Sequence, residues 1–247
     1  MDEPTAQWTL RSQQADGWRQ LATECSLHPI VARMLARRGY DDPEEADAFL
    51  NPRLSRMHDP ALMADMDAAV ETLLAAVDRE AAIAIHGDYD VDGLTSTALL
   101  VDFLRRMRAE VDYVIPHRID DGYGVEGETI ADIVESGADL LVTADCGVTA
   151  YDAIEQARQA GMDVIVIDHH ALPDQLPPAN AVLNPLRHDC DFPFDGLSAA
   201  GVTFNFLVAL RGAMRRRGDF EGRAEPDLMA CLDLVALATV ADVVPLE

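Results

Sequence analysis

The residues most able to do chemistry are aspartates and histidines that recur in short, separated clusters. The first is His86-Gly87-Asp88-Tyr89-Asp90-Val91-Asp92-Gly93, and the second is His117-Arg118-Ile119-Asp120-Asp121-Gly122-Tyr123-Gly124. Asp145-Cys146-Gly147 follows, then Asp168-His169-His170, and Asp242 stands near the end in TVADVVP. Each cluster but the last follows a short apolar run rich in β-branched residues: AAIAIH (81–86), VDYVIP (111–116), DLLVTA (139–144) and DVIVID (163–168). Such runs separated by helix-like stretches near 95–108, 127–136 and 150–160 predict βαβ units, hence a parallel sheet covered on both faces. In that architecture ligands bind beyond the carboxyl ends of the strands, where four of these clusters must fall. Carboxylates gathered in one small volume repel one another unless cations neutralise them. Hard oxygen donors mixed with imidazole suit Mn²⁺ or Mg²⁺. Two such ions ~3.5–4 Å apart are the machinery of phosphoester hydrolysis.

Each piece also has an ordinary reading. DYDVDG opens like a calcium-binding helix–loop–helix, but that pattern requires glutamate at its twelfth position, where Leu99 stands. Asp145 before glycine fits a turn or a helix N-cap, the Asp168-His169-His170 triplet fits a cap, and Asp242 fits a turn. Their joint occurrence in one frame favours a metal site.

The elements around the clusters complete the frame. From Leu21 to Leu50 the pattern is helical, with Gly39 as a stop and Asp42-Pro43 as an N-cap followed by first-turn proline. Further helices are expected at 66–79, 199–217 and 226–239, and a long loop at Leu172–Asp195. The expected fold is α/β, a Rossmann-like parallel sheet of about five strands with helices on both faces, preceded by a short helical N-terminal region (1–78) that packs on the core (79–247).

The formal net charge is −25, and all 19 basic residues are arginine. That balance repels polyanions at long range and does not by itself favour nucleic acid. Acidic surfaces are ordinary in some genomes and cytoplasms, and metal ligation needs only a few of the 44 acidic residues. The four cysteines are scattered without a CxxC pair, which argues against a cysteine zinc site or a disulfide framework. No apolar run reaches membrane-spanning length and the N-terminus has no signal-peptide pattern, so a cytoplasmic location is expected.

GDYDVDG, TADCG, VIDHH and ATVADVVPL, in this order, resemble the four signature motifs of the DHH phosphoesterases. LHPIVARMLARRGYDDPEEADAFLNP, HDPALMADMDAAV, IPHRIDDGYGV and AVLNP followed by SAAGVTF narrow the resemblance to RecJ-type exonucleases, from about Leu27 to the last residue. The resemblance implies two ions, Mn²⁺ or Mg²⁺. Asp90 would serve the first, with Asp88 or His86 near it; Asp145 would bridge both; Asp92, His169 and Asp242 would complete the second. His170 would lie against the scissile phosphate, Asp168 would orient a histidine, and Arg118 with Gly122, Tyr123 and Gly124 would hold the nucleotide. Asp90, Asp92, Asp145, His169 and His170 would be the catalytic set.

The activity so implied is 5′-to-3′ exonucleolytic hydrolysis of single-stranded DNA in recombination and repair. The partners so implied are single-stranded DNA and a single-strand-binding protein or recombination helicase, the chain acting as a monomer away from membranes. The alternatives are a DHH phosphoesterase for oligoribonucleotides, cyclic dinucleotides or pyrophosphate, an inactive metal-binding fragment, and a non-catalytic scaffold relative. RecJ-type chains continue into a DHHA1 domain and usually an OB-fold, which this sequence lacks. It is therefore expected to be a truncated piece, the metal-binding half without the basic surface that tracks the strand.

Overall fold

A computed structural model describes residues 17–119 and 124–246. The described chain divides into two compact units, one ending at Met57 and one running from His58 to Leu246. In the first unit, α1 (Trp18–Glu24), α2 (Pro29–Ala36) and α3 (Pro43–Leu50) close a small core of Leu21, Ala32, Leu35, Ala36 and Ala46. Asp42 caps α3 as expected, accepting from the backbone N–H groups of Glu44 and Glu45. The division falls before α4 (Met66–Asp78), not after it as expected from the sequence, because α4 contacts β5 and α8 of the second unit.

The second unit is a five-stranded parallel sheet in the order β2-β1-β3-β4-β5. Its strands are β1 (Ile83–Gly87), β2 (Val111–Val114), β3 (Leu140–Ala144), β4 (Asp163–Ile167) and β5 (Ala181–Leu183). Residues alternate across the pleat. Ala84, Leu141, Val164, Val166 and Val182 face α6 (Gly127–Glu135) and α7 (Tyr151–Gln159), burying Ile130, Ile133, Ile154 and Ala157. Ile83, Ile85, Leu140, Val142, Ile165 and Ile167 point to the other face, covered by α4, α5 (Val91–Arg106) and α8 (Ala199–Arg217). Helix α9 (Leu232–Ala241) packs on α5 and α8. No helix among the described residues is long and apolar enough to cross a membrane.

Two expectations are corrected. The fifth strand, β5, lies inside the stretch expected to be loop, because three apolar residues beside prolines give too short a signal. Its outer edge is closed by side chains: Asp65 accepts from the Val182 N–H and pairs with Arg187, which donates to the Val182 carbonyl. Helix α5 begins at Val91 instead of near residue 95, since Asp90 is its N-cap and accepts from Gly93 N–H at 3.0 Å. A motif that resembles a loop is the first turn of a helix.

At the opposite end of the sheet, Asp163 opens β4 and accepts from Arg79 (2.9 Å), Arg158 (3.0 Å) and Asn180 (3.0 Å). Burial would raise its pKa, but hydrogen bonds from Arg79, Asn180 and Arg158 outweigh that and hold it below the ordinary carboxylate value. A lowered native pKa gives stability that is present above the unfolded-state value and lost as pH falls through the native one. Asp163→Asn is therefore expected to destabilise by about 1 kcal/mol at neutral pH, the partners being partly exposed. Melting the two proteins across an acid titration should show the gap closing below the ordinary carboxylate range.

Candidate metal centre

Strand register builds the site. Gly87, Ala144 and Ile167 are lateral neighbours in the ladder, so the residues after them, Asp88, Asp145 and Asp168, leave the sheet at the same level. The ladder continues one step into each: the Asp88 N–H donates to the Ala144 carbonyl, Asp145 to Ile167 and Asp168 to Leu183. Asp145 then turns the chain in the left-handed region (φ 66°), a conformation that aspartate tolerates better than most residues. Gly93 is required for closeness: a Cβ there would sit 2.5 Å from the Asp88 carbonyl oxygen.

Three ligand groups converge, each with its donor atoms within 4.8 Å of one another: Asp88, Asp90 and Asp145; Asp92, His169 and Asp242; and Asp145, His169 and His170. Asp145 and His169 each belong to two of them. His169 Nε2 lies 3.3 Å from Asp145 Oδ1, 3.6 Å from Asp92 Oδ2 and 3.6 Å from Asp242 Oδ2, aligned for a hydrogen bond with none. Asp145 Oδ1 is likewise buried without a hydrogen-bond partner.

The electrostatics are those of a centre short of positive charge. Asp145 is pushed up to about 8, first by burial and then by the Asp92 and Asp90 carboxylates, with only His169 opposing. Burial also raises Asp88 and Asp92, against hydrogen bonds from the Tyr89 N–H and from the Ala200 and Ala199 N–H groups respectively. Burial would lower His169, but the closeness of Asp145 and Asp92 outweighs it. Buried unpartnered donor atoms, crowded carboxylates and imidazole are the donor chemistry that a pair of hard divalent cations satisfies. The residues present fit such ions.

Asp168 does different work. It is 1% exposed and accepts from the backbone N–H groups of His169 (2.7 Å), His170 (3.0 Å) and Val148 (2.9 Å), and from His170 Nδ1 (2.7 Å). Burial would raise its pKa, yet the bonds from His170 and Val148 hold it low. Its partnership with Asp168 carries His170 to about 9. Asp168 thus anchors the backbone of His169 and His170 and holds the His170 ring.

The other candidates are placed unequally. His86 is fully buried, its Nδ1 3.5 Å from Cys146 Sγ and its Nε2 without a hydrogen-bond partner, and it belongs to none of the three ligand groups. Arg118 stacks over the Tyr89 ring at 4.6 Å, beside Asp88. Gly124 has φ 94°, a conformation that favours glycine, and Gly122 and Tyr123 lie outside the described residues. Two contributors escaped the sequence reading. Asn184, fully buried, donates to the His170 carbonyl at 2.9 Å, and the backbone N–H groups of Ala199 and Ala200 donate to Asp92 at 2.6 and 2.8 Å. The clue to the second was the small-residue run Ser198-Ala199-Ala200-Gly201, which lets the α8 N-terminus approach.

A parallel sheet that gathers aspartates and histidines at its carboxyl edge defines an α/β domain with a candidate metal centre. The family profile "DHH family, N-terminal domain" matches residues 82–239, and the chain belongs to the DHH family. Within it, the chain is 43% identical over 225 residues to the single-stranded-DNA-specific exonuclease RecJ of Dickeya dadantii, covering 90% of this chain and 38% of that protein. It is 40% identical over 241 residues to that of Escherichia coli, covering 96% of this chain and 41% of the relative. The crystal structure of RecJ in complex with Mn²⁺ from Thermus thermophilus superposes with a TM-score of 0.75 at 30% identity, over 96% of this chain and 32% of that one. The chain thus spans well under half the length of the relatives it matches.

Proposed function

We propose that this chain carries the two-metal phosphodiesterase centre of an exonuclease that degrades single-stranded DNA from its 5′ end in recombination and repair. The observation that supports the reading is the sharing of Asp145 and His169 between overlapping ligand groups, an arrangement that suits two neighbouring ions. Asp88, Asp90 and Asp145 would hold one Mn²⁺ or Mg²⁺; Asp92, His169 and Asp242, with Asp145 between them, would hold the other. Bound there, such ions supply Lewis acidity to the phosphoryl group and a more acidic water.

The chain's own residues do the rest. Asp168 pairs with His170 Nδ1 at 2.7 Å and so orients this half-exposed ring, which would lie against the scissile phosphate. Asn184 fixes the backbone beneath that ring. Arg118, kept in place by Tyr89, offers its guanidinium to the nucleotide backbone. The protein works as a cytoplasmic monomer alongside a single-strand-binding protein or a recombination helicase.

Purified chain with Mn²⁺ and single-stranded DNA labelled at either end tests the reading. Mononucleotides should be released from the 5′ end, and Asp145→Asn or His170→Ala should slow release by about 10²–10³-fold. Release from the 3′ end, or equal attack on duplex, would sink it. A preference for a dinucleotide over a long strand would move the assignment to small substrates, and metal binding without hydrolysis would reduce the chain to a metal-binding fragment.

A further inference from the structure

The segment Asp168–His170 is held from the neighbouring strand by two consecutive residues. The Leu183 carbonyl accepts from the Asp168 N–H at 3.0 Å, and the Asn184 side chain donates to the His170 carbonyl at 2.9 Å. Asn184 is itself fixed. It is fully buried, its Oδ1 accepts from the Leu186 N–H at 2.9 Å, and its carbonyl accepts from the Arg187 N–H at 3.3 Å. Yet β5, which delivers Leu183 and Asn184, is a three-residue strand at the edge of the sheet, near the lower limit of strand length. So short a ladder does little to fix its own position.

What fixes it is Arg187, whose side chain is 8% exposed. Its Nη1 donates to the Asp65 carboxylate and, at 2.8 Å, to the Val182 carbonyl. Its Nε and Nη2 donate to the two oxygens of Asp189 at 2.9 and 2.7 Å. Asp65, the residue before α4, also accepts from the Val182 N–H at 3.0 Å. One planar guanidinium thus meets two carboxylates and a backbone carbonyl at once, which the compact ammonium of a lysine cannot reproduce. The clamp joins α4 to the outer edge of β5, and the inner edge of β5 leads to His170.

We propose that Arg187 is a positioning residue that acts on His170 through β5 and Asn184. The clamp holds β5 against α4, β5 presents Asn184, and Asn184 sets the backbone from which the His170 ring is aimed. Misplacing such a ring by about 1 Å is enough to cost up to ~10²-fold in rate. This role rests on the reading of His170 as the group against the scissile phosphate, whereas the link from clamp to ring exists without substrate.

Arg187→Lys keeps the charge and loses the fork. With Mn²⁺ and single-stranded DNA it should lower kcat about tenfold and leave KM within about twofold, since aim and not binding is lost. The loss should vanish in a His170→Ala background, where no ring remains to be aimed. Asn184→Asp keeps the acceptor for Leu186 and removes the donor to His170, so it should reproduce the kcat loss even if Arg187→Lys folds poorly. Ile133→Val removes one buried methyl group on α6, a loss of stability without a change of aim, and should leave kcat unchanged. In chelator and without DNA, the NMR resonances of the His170 ring should move in Arg187→Lys and in Asn184→Asp, while those of His28 stay in place. Unmoved His170 resonances would overturn the proposal, as would a kcat loss that persists in full without His170, a rise in KM alone, or an equal loss in Ile133→Val. A parent chain that leaves DNA intact would sink the exonuclease reading, and the His170 resonances would still decide for or against the clamp.

Discussion

Saturating Mn²⁺ is expected to raise the melting temperature of this chain by several degrees, and Asp145→Asn to remove most of that rise. An ion present at about a hundred times its dissociation constant stabilises the native state by about 2.7 kcal/mol. In a protein of this size each kcal/mol moves the midpoint by ~2–4 °C, giving a rise of ~5–10 °C. Asp145 is the residue to change because it joins two ligand groups, so its loss injures both halves of the centre.

The metal-free comparison is equally informative. Asp145 is raised to about 8 by burial and by Asp92 and Asp90, so the native state binds this proton more tightly than the unfolded chain does. Its contribution is fully present below the ordinary carboxylate value and is lost as pH climbs through about 8. Asparagine has the shape of the protonated acid and accepts the left-handed backbone, so metal-free Asp145→Asn should melt ~2–8 °C above its parent at alkaline pH, a gain of ~1–2 kcal/mol. A variant that gains stability while losing its metal response is the signature of a site strained for function. An undiminished Mn²⁺ response in Asp145→Asn would take Asp145 out of the centre.

Asp92→Ala is expected to behave in the opposite way before any metal is added. Both Asp92 oxygens accept backbone N–H groups at the start of α8, from Ala199 and Ala200, in a position 1% exposed. Removing the carboxylate strands two buried donors and the positive end of a helix dipole, a cost of ~2–4 kcal/mol. At ~2–4 °C per kcal/mol this lowers the midpoint by ~4–16 °C, with the Mn²⁺ response reduced as well. Asp92→Asn keeps one acceptor oxygen and should fall between the two. Calorimetry in a chelator separates the roles: Asp92→Ala melting together with its parent would leave Asp92 as a ligand candidate only, with no part in anchoring α8.

Much of the centre was legible in the chain itself, because a parallel α/β sheet converts sequence order into place. Apolar β-branched runs mark the strands, and the residues after them must emerge at the carboxyl edge. Asp88, Asp90, Asp92, Asp145, His169 and His170 could therefore be assigned to one region from spacing alone, and the order of the motifs pointed to the DHH family. The strand β5 was not legible, since a three-residue edge strand depends on Asp65 and Arg187 for its outer partners, and both lie far from it or outside its pattern.

What only the tertiary structure decided concerns the second job of each acid. Asp92 and Asp168 have the same side chain, yet burial leaves Asp92 raised while four hydrogen-bond donors hold Asp168 low. Asp92 ties α8 to the site, and Asp168 steers His170. His86 belongs to none of the ligand groups although it stands only two residues before Asp88, because it is still inside β1 and buried against Cys146, whereas Asp88 lies beyond the strand end. Spacing determined which residues reach the edge; burial and the donors waiting there determined which carboxylates remain short of charge and therefore call for metal.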